Sequence, residues 1–316
     1  MSEKKTNPTG YIYGPVPSRR LGLSLGIDVV PAKICTLDCV YCQIGRTTEK
    51  STVRRSFFEL SAVLGELKTK LAQGICADYV TIGGSGEPTL NSQVGELIDG
   101  IRSLTEIPVA VITNGTLLYR PDVRAECAKA DLVIPSLDAG DAASFEAVNR
   151  PARDISIERL VSGLAQFRRE FSGQIWLEVF LIEGMNTNPE QIEEMRRHIE
   201  RIGPDRVQLN SAVRPAAEQG IHAISHERLA AIARRLGGNC EIVGAARRAP
   251  AGSHAERTAQ DVLSMLKRRP CSLDDICSGL TIHRHEAVKY IEQLLSQGQV
   301  DEERQGETVY YCATSA

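Results

Sequence analysis

The stretch YVTIGGSGEPTLNSQVGELIDGIRSLTEIPVAVITNG, residues 79–115, carries one full repeat of the pattern that sets the fold. Tyr79 to Ile82 is a short β-branched and aromatic run, which the glycine-rich Gly83 to Pro88 ends. Val94 to Ser103 then places apolar residues every three or four positions, and Val109 to Thr113 is a second β-branched run. Strand, turn, amphipathic helix and strand in that order make a crossover unit, the connection that parallel strands require.

The alternation extends in both directions, from about Val29 to Val243. Further strands are predicted at Leu25 to Val30, Leu132 to Ser136, Ile175 to Leu181 and Arg206 to Leu209, with a short return near Cys240 to Val243. Helical periodicity occupies Phe57 to Gln73, Ile157 to Phe171, Pro189 to Ile202 and His226 to Leu236. Six such units predict an α/β fold, a partial (β/α)6 TIM-like barrel over residues 1–243. In such barrels the site sits at the C-terminal strand ends. A linker is predicted at 244–255, poor in large apolar residues. Residues 256–316 then read as three helices and a hairpin turning at Gln305-Gly306, resembling a winged helix-turn-helix domain. Its third helix is expected to present His283, Arg284, Glu286, Ala287 and Tyr290.

At 316 residues, with 42% hydrophobic residues, the chain can hold a barrel-sized core and a small second unit. A net charge of -3 provides no global basic field for gripping nucleic-acid backbone, and acidic residues outnumber basic ones from residue 255 onward as well. No run of eighteen apolar residues occurs, and the first ten residues are too polar for a secretory segment. No membrane partner and a cytoplasmic location are expected. The 9 cysteines, an odd and scattered set, suit a reducing compartment.

Three of them, Cys35, Cys39 and Cys42, form a Cys-x3-Cys-x2-Cys run with Tyr41 before the last. Thiolates three and four residues apart on one loop can converge on adjacent corners of an iron-sulfur cube and leave one iron open. Structural zinc is the alternative. It needs four ligands, and no His or fourth Cys follows within the next thirty residues or so. The other cysteines, Cys76, Cys127, Cys240, Cys271, Cys277 and Cys312, read mostly as small buried hydrophobes.

The run Cys35-Thr-Leu-Asp-Cys39-Val-Tyr41-Cys42 resembles the signature of the radical S-adenosylmethionine (SAM) superfamily. The resemblance implies an oxidoreductase-type enzyme in which the three thiolates hold a 4Fe-4S cluster and SAM chelates the fourth iron. An electron, from a donor such as flavodoxin or ferredoxin, then cleaves SAM to methionine and a 5′-deoxyadenosyl radical that abstracts hydrogen from a substrate. It also implies SAM-binding roles at the strand ends. The Gly-rich turn Gly84, Gly86 and Glu87 would take the amino group. Thr113-Asn114 and Ser136 of Ser136-Leu-Asp would stand at the third and fourth strands, and Tyr41 near the adenine. Glu178, on a strand otherwise suited to burial, needs a partner. That partner is either a ribose hydroxyl or a Lys or Arg salt bridge. Asn210 closes the set. Arg19 and Arg20, in a Pro/Gly-rich loop before the first strand, suit phosphate or carboxylate, or else read as a solvated pair or a salt bridge to the barrel's helices.

The stretch from Gly14-Pro-Val-Pro-Ser-Arg-Arg through the cysteine loop is similar to the branch grouped with wyosine-type tRNA synthases. That similarity implies an RNA base as substrate. Modification of a protein, peptide or small metabolite is the alternative, because the second cysteine set of tricyclic-base enzymes is missing here. A different class is a non-catalytic, redox-responsive DNA-binding regulator. The Gly-rich turn and the Ser-Leu-Asp segment argue against it, since a sensor needs no methionine-binding turn.

Overall fold

The computed structural model describes residues 10–212, 218, 220–243, 259–280, 282, 284–306 and 308–314. Its first hairpin joins β1 (Ile12–Ser18) antiparallel to β2 (Gly22–Ile27). The cysteine segment follows, framed by two-residue strands β3 (Ile34–Cys35) and β4 (Glu49–Lys50). Crossovers then build the sheet: α1 (Leu60–Leu71), β5 (Tyr79–Ile82), α2 (Val94–Leu104), β6 (Val109–Ile112), α3 (Pro121–Cys127) and β7 (Leu132–Ile134). They continue with α4 (Ala142–Asn149), α5 (Ile157–Glu170), β8 (Gln174–Leu181), α6 (Pro189–Ile202), β9 (Arg206–Ser211), α7 (His226–Leu236) and β10 (Cys240–Ile242).

The eight strands of the main sheet lie in the order β1-β2-β5-β6-β7-β8-β9-β10, and every pairing after β1·β2 is parallel. Sequence neighbours are sheet neighbours throughout, the order of an open, barrel-type wall. Val109, Ala110, Val111, Val133 and Ile134 are fully buried, as expected of strands covered on both faces. The helices turn their apolar stripes inward. In α6 the stripe is Ile192, Met195, Ile199 and Ile202, and the helix starts behind Asn188, whose side chain accepts from the Gln191 N–H. It stops at Gly203, whose left-handed φ of 65° a side chain would resist.

The predicted strands and long helices are present, with shifts at their ends. Strand β2 ends at Ile27 rather than Val30, because Val29 and Val30 leave the sheet and bury themselves in the main core. The segment around Arg19 and Arg20 is not a plain loop. It is the tight turn between β1 and β2, and β1 is an edge strand whose register shifts between Tyr13 and Val16, which accommodates its prolines. Helices α3 and α4 were not anticipated. Seven and eight residues are too few to show a period.

In the C-terminal part, α8 (Ala259–Leu266), β11 (Cys271–Ser272), α9 (Leu273–Leu280), α10 (Arg284–Ser296), β12 (Val300–Gln305) and β13 (Thr308–Ala313) surround a separate apolar cluster. Its sheet runs β11-β13-β12. The predicted linker and His283 lie outside the described residues. Ala287, expected on the presented face of α10, is instead fully buried, because it lies on the stripe facing α8 and α9. This part meets the barrel where Arg268 stacks on Tyr13, 4.1 Å from the ring centre, and where Gln305 Nε2 donates to the Ala212 carbonyl at 3.3 Å.

Candidate functional site

The cysteine loop is fixed along both of its flanks. On one side β3 pairs with β4, Cys35 opposite Lys50, and the Ser51 N–H donates to the Cys35 carbonyl at 3.0 Å. On the other, the Asp38 and Val40 N–H groups donate to the carbonyls of Asn149 and Val148 at 2.9 and 3.0 Å, stitching the loop to the end of α4. A turn closes between them, with Cys42 N–H on the Cys39 carbonyl at 3.1 Å.

Each sulfur in this loop is met by at least one nitrogen donor. Asn114 Nδ2 and the Leu37 N–H both lie 3.5 Å from Cys35 Sγ. Asn149 Nδ2 is 3.3 Å from Cys39 Sγ, and Lys33 Nζ is 3.5 Å from Cys42 Sγ. Donors of this kind favour sulfur in its charged form and tune a cluster held by it. The protein alone opposes that charge. Burial, the Glu87 carboxylate and Cys42 push the Cys35 thiol up to about 12. Burial, Asp138 and the neighbouring thiols push Cys39 well above its ordinary value. A positively charged iron centre would reverse this balance, since coordination deprotonates a thiol outright. Among the described residues no three His, Cys, Asp or Glu side chains converge closely enough for a single ion. The three thiols share one loop and one cavity, and a structural zinc needs four ligands where this loop offers three.

The glycine-rich turn after β5 lies directly against this loop. A Cβ on Gly86 would sit 2.4 Å from the Ile34 carbonyl oxygen, and one on Gly84, at φ 151°, would sit 2.4 Å from the Asp28 carboxyl carbon. The Ser85 hydroxyl and N–H both donate to Asp28 Oδ2, at 2.6 and 3.1 Å. Glu87 is buried. Its carboxylate accepts from Thr113 Oγ1 at 2.5 Å, the Asn114 N–H at 2.8 Å, the Thr89 N–H at 3.1 Å and the Thr89 hydroxyl. Burial raises its pKa and these donors offset part of the rise. Glu87 therefore ties the turn after β5 to the turn after β6, and through Asn114 it reaches Cys35.

Further along the sheet, Glu178 on β8 has found protein partners. Arg20 Nη1 stands 2.6 Å from its Oε2, and Asn210 Nδ2 donates to Oε1 at 2.9 Å. Burial, the largest single influence, would raise the Glu178 pKa, but the Arg20 charge and hydrogen bond, the Asn210 hydrogen bond and the Arg19 charge together leave the carboxyl below its ordinary value. Tyr41 stacks on Phe180, centroids 3.9 Å apart and planes within 9°, and donates its hydroxyl to Asp138. Asp138 also accepts from the Phe180 N–H and Asn149 Nδ2, each at 2.8 Å; burial leads the causes that push it up to about 6.

Cys35, Cys39, Cys42, Tyr41, Gly84, Gly86, Glu178 and Asn210 line one cavity of about 620 Å³, within the range of ligand pockets. Glu87, Thr113, Asn114 and Ser136 do not line it. The first three form the hydrogen-bonded layer behind it, and Ser136, half-buried, pairs its backbone with Glu178. Sequence reasoning passed over Asn149, Lys33 and Asp138. A cation two residues before the first cysteine was a usable signal for Lys33. Asn149, 110 positions from Cys39, left none.

Comparison with known proteins decides the family. A profile described as the radical SAM superfamily matches residues 29–202, more than half of the chain. The chain belongs to the radical SAM superfamily. Enzymes of this superfamily bind a 4Fe-4S cluster and SAM, and the cysteine triple lies inside the matched region.

Among the relatives of this chain, a Helicobacter pylori (strain J99 / ATCC 700824) protein named UPF0026 protein is 30% identical over 311 residues. That alignment covers 96% of this chain and 97% of the relative. A Brachyspira hyodysenteriae protein named GTPase Obg is 37% identical over 298 residues, 93% of this chain but only 44% of that protein. The chain thus spans less than half the length of that relative. A solved radical SAM methyltransferase from Sphaerobacter thermophilus shares the fold, with a TM-score of 0.51, 18% identity, and 69% of this chain and 65% of that one covered. No helix among the described residues of this radical SAM protein is long and apolar enough to cross a membrane.

Proposed function

We propose that this radical SAM protein is an enzyme that holds a 4Fe-4S cluster on Cys35, Cys39 and Cys42 and cleaves SAM reductively to abstract hydrogen from a substrate. The observation that carries the reading is a nitrogen donor at each of the three sulfurs, in one cavity with the glycine-rich turn. When bound, the cluster supplies the electron and SAM supplies the radical. The chain's own residues bind, orient and shield.

Gly84 and Gly86, whose missing Cβ atoms make room for Asp28 and for the Ile34 carbonyl, hold the turn against the cysteine loop and line the cavity where the SAM amino group would bind. Glu87, Thr113 and Asn114 act from behind, fixing the turns and the Cys35 sulfur. Ser136 lies two residues past the end of β7, its backbone bridged to Glu178 of β8. The Tyr41 and Phe180 rings form a flat apolar face suited to an adenine, and Glu178 with Asn210 presents a polar edge suited to a ribose. For Glu178 the salt bridge to Arg20 and the ribose contact are compatible, since a carboxylate has about four acceptor positions.

An RNA base is the leading substrate, on the likeness to wyosine-type enzymes; a protein, peptide or small metabolite is second. A reducing protein such as flavodoxin or ferredoxin would deliver the electron, in the cytoplasm. Nothing of a guanine-nucleotide hydrolase is carried over from the Brachyspira name, because the chain has no Gly-Lys pair for a phosphate-binding loop. Residues 256–316 form a winged-helix-like domain in this reading, joined to a 1–243 barrel by a 244–255 linker.

The test is anaerobic. The chain is reconstituted with iron and sulfide, reduced with dithionite, given SAM, and assayed for 5′-deoxyadenosine by chromatography. Product is expected from the native chain and none from Cys39→Ala. A fully loaded native chain that releases no 5′-deoxyadenosine rejects the enzyme reading.

A further inference from the structure

The cavity has a second wall, built from the C-terminal part. Asp261, Ser264 and Met265 of α8, Leu280 of α9, and Arg268 and Arg269 between those helices line it together with β1. Arg268 lies over the ring of Tyr13, and Tyr13 in turn is seated on Gly26, where a Cβ would fall 2.0 Å from the ring. The guanidinium is therefore held at a fixed height and angle. Its Nη1 donates to the Ser264 carbonyl at 3.0 Å, while its Nε is buried and has no partner among the described residues.

No carboxylate forms an ion pair with Arg268 or Arg269 among the described residues. Asp28 and Glu66 act on Arg268 through space, but neither comes within ion-pair distance. The acids on the cavity wall are engaged elsewhere. Glu66 accepts the N–H groups of Tyr11 and Ile12 at 2.9 and 3.0 Å, Glu178 pairs with Arg20, and Asp261 has an interaction of its own. A half-buried guanidinium with an unused N–H and a second arginine beside it is costly without an anion. Its planar fork fits the oxygens of a phosphate.

We propose that Arg268 and Arg269 form the anion-binding end of the substrate site and take a phosphate group of the substrate. The proposal rests on reading this cavity as the substrate chamber of a radical SAM enzyme. It gives the C-terminal part a role there: it supplies one wall of the chamber and selects phosphate-bearing molecules. An RNA phosphodiester and the phosphate of a free nucleotide share this chemistry.

The test uses the full, cluster-free chain, so that it does not depend on SAM cleavage. Calorimetric titrations compare uridine 5′-monophosphate with uridine, and with an unmodified tRNA transcript. One saturable site is expected for a phosphorylated probe, with uridine at least tenfold weaker. Arg269→Gln weakens it tenfold or more, Arg268→Lys about fivefold through loss of the fork, and Arg197→Gln on the outer face of α6 leaves it unchanged. Matching melting temperatures establish that the variants fold. Tighter binding of the transcript than of the mononucleotide, lost with the same arginines, assigns the source to RNA; equal or tighter mononucleotide binding assigns a free nucleotide. Binding indifferent to the phosphate, binding unchanged in both arginine variants, or no binding of either phosphorylated probe overturns the proposal. Because the titration is independent of turnover, its failure leaves the 5′-deoxyadenosine result standing, and the reverse.

Discussion

Replacing Gly86 with alanine tests whether the glycine-rich turn and the cysteine loop form one unit. The new methyl would lie 2.4 Å from the Ile34 carbonyl oxygen, 2.8 Å from Val30 Cγ1 and 3.2 Å from the Pro31 oxygen. Two of these atoms are backbone, so relief requires moving the chain that leads into Cys35. Overpacking of this kind costs about 1–3 kcal/mol. For a cooperative unit of roughly 200 residues that is a fall of about 2–12 °C in melting temperature. Because the displaced segment carries the first sulfur, iron bound after anaerobic reconstitution should fall with it. Gly65, in the exposed interior of α1, is the control. A Cβ there meets nothing within 4 Å, so Gly65→Ala should stabilise by about 0.5–1 kcal/mol and leave iron loading unchanged. Scanning calorimetry and iron analysis on both variants decide the matter. A Gly86→Ala protein with native melting temperature and native iron content would refute the argument that these loops are packed together.

Other outcomes follow from the same contacts. Asn149→Ala removes the donors to Cys39 Sγ and Asp138, and should weaken iron retention against a chelator about 10–100-fold, the usual effect of losing a group behind a ligand. Arg20→Gln leaves the Glu178 carboxylate without its cation and should cost roughly 3 kcal/mol at neutral pH by chemical denaturation. The sign of its pH dependence is fixed. Glu178 titrates below its ordinary value, so its pairing stabilises the fold above pH 4.5 and is lost as pH falls through the native value. The gap between native and Arg20→Gln should therefore shrink toward pH 4. A gap that widens there would contradict the assignment. Cys76→Ser, at an exposed cysteine outside the triple, should leave iron content at the native level.

Much of the fold was legible because the signal was local. Tyr79–Ile82, Pro189–Ile202 and His226–Leu236 coincide with their predicted spans, each bounded by a proline, glycine or capping serine. The strand β1 was not legible, since a bulged edge strand containing prolines reads as a loop. The three cysteines and the glycine-rich turn announced themselves by spacing. What spacing did not reveal was which carboxylates point at protein. Glu87 and Glu178 look alike in sequence, yet Glu87 is enclosed by Thr89, Thr113 and Asn114, while Glu178 reaches the cavity beside Arg20. Apart from the local Thr89 bond, such distinctions depend on contacts between residues 26 to 158 positions apart, which no local pattern encodes.

In the proposed enzyme, three thiols hold an iron-sulfur cube with one corner left to SAM. Electron paramagnetic resonance of the reduced, reconstituted chain, recorded before and after adding SAM, addresses it directly. About four irons per chain and a spectrum that shifts on SAM addition are expected. One zinc per chain with little iron, or a cluster spectrum indifferent to saturating SAM, would contradict it.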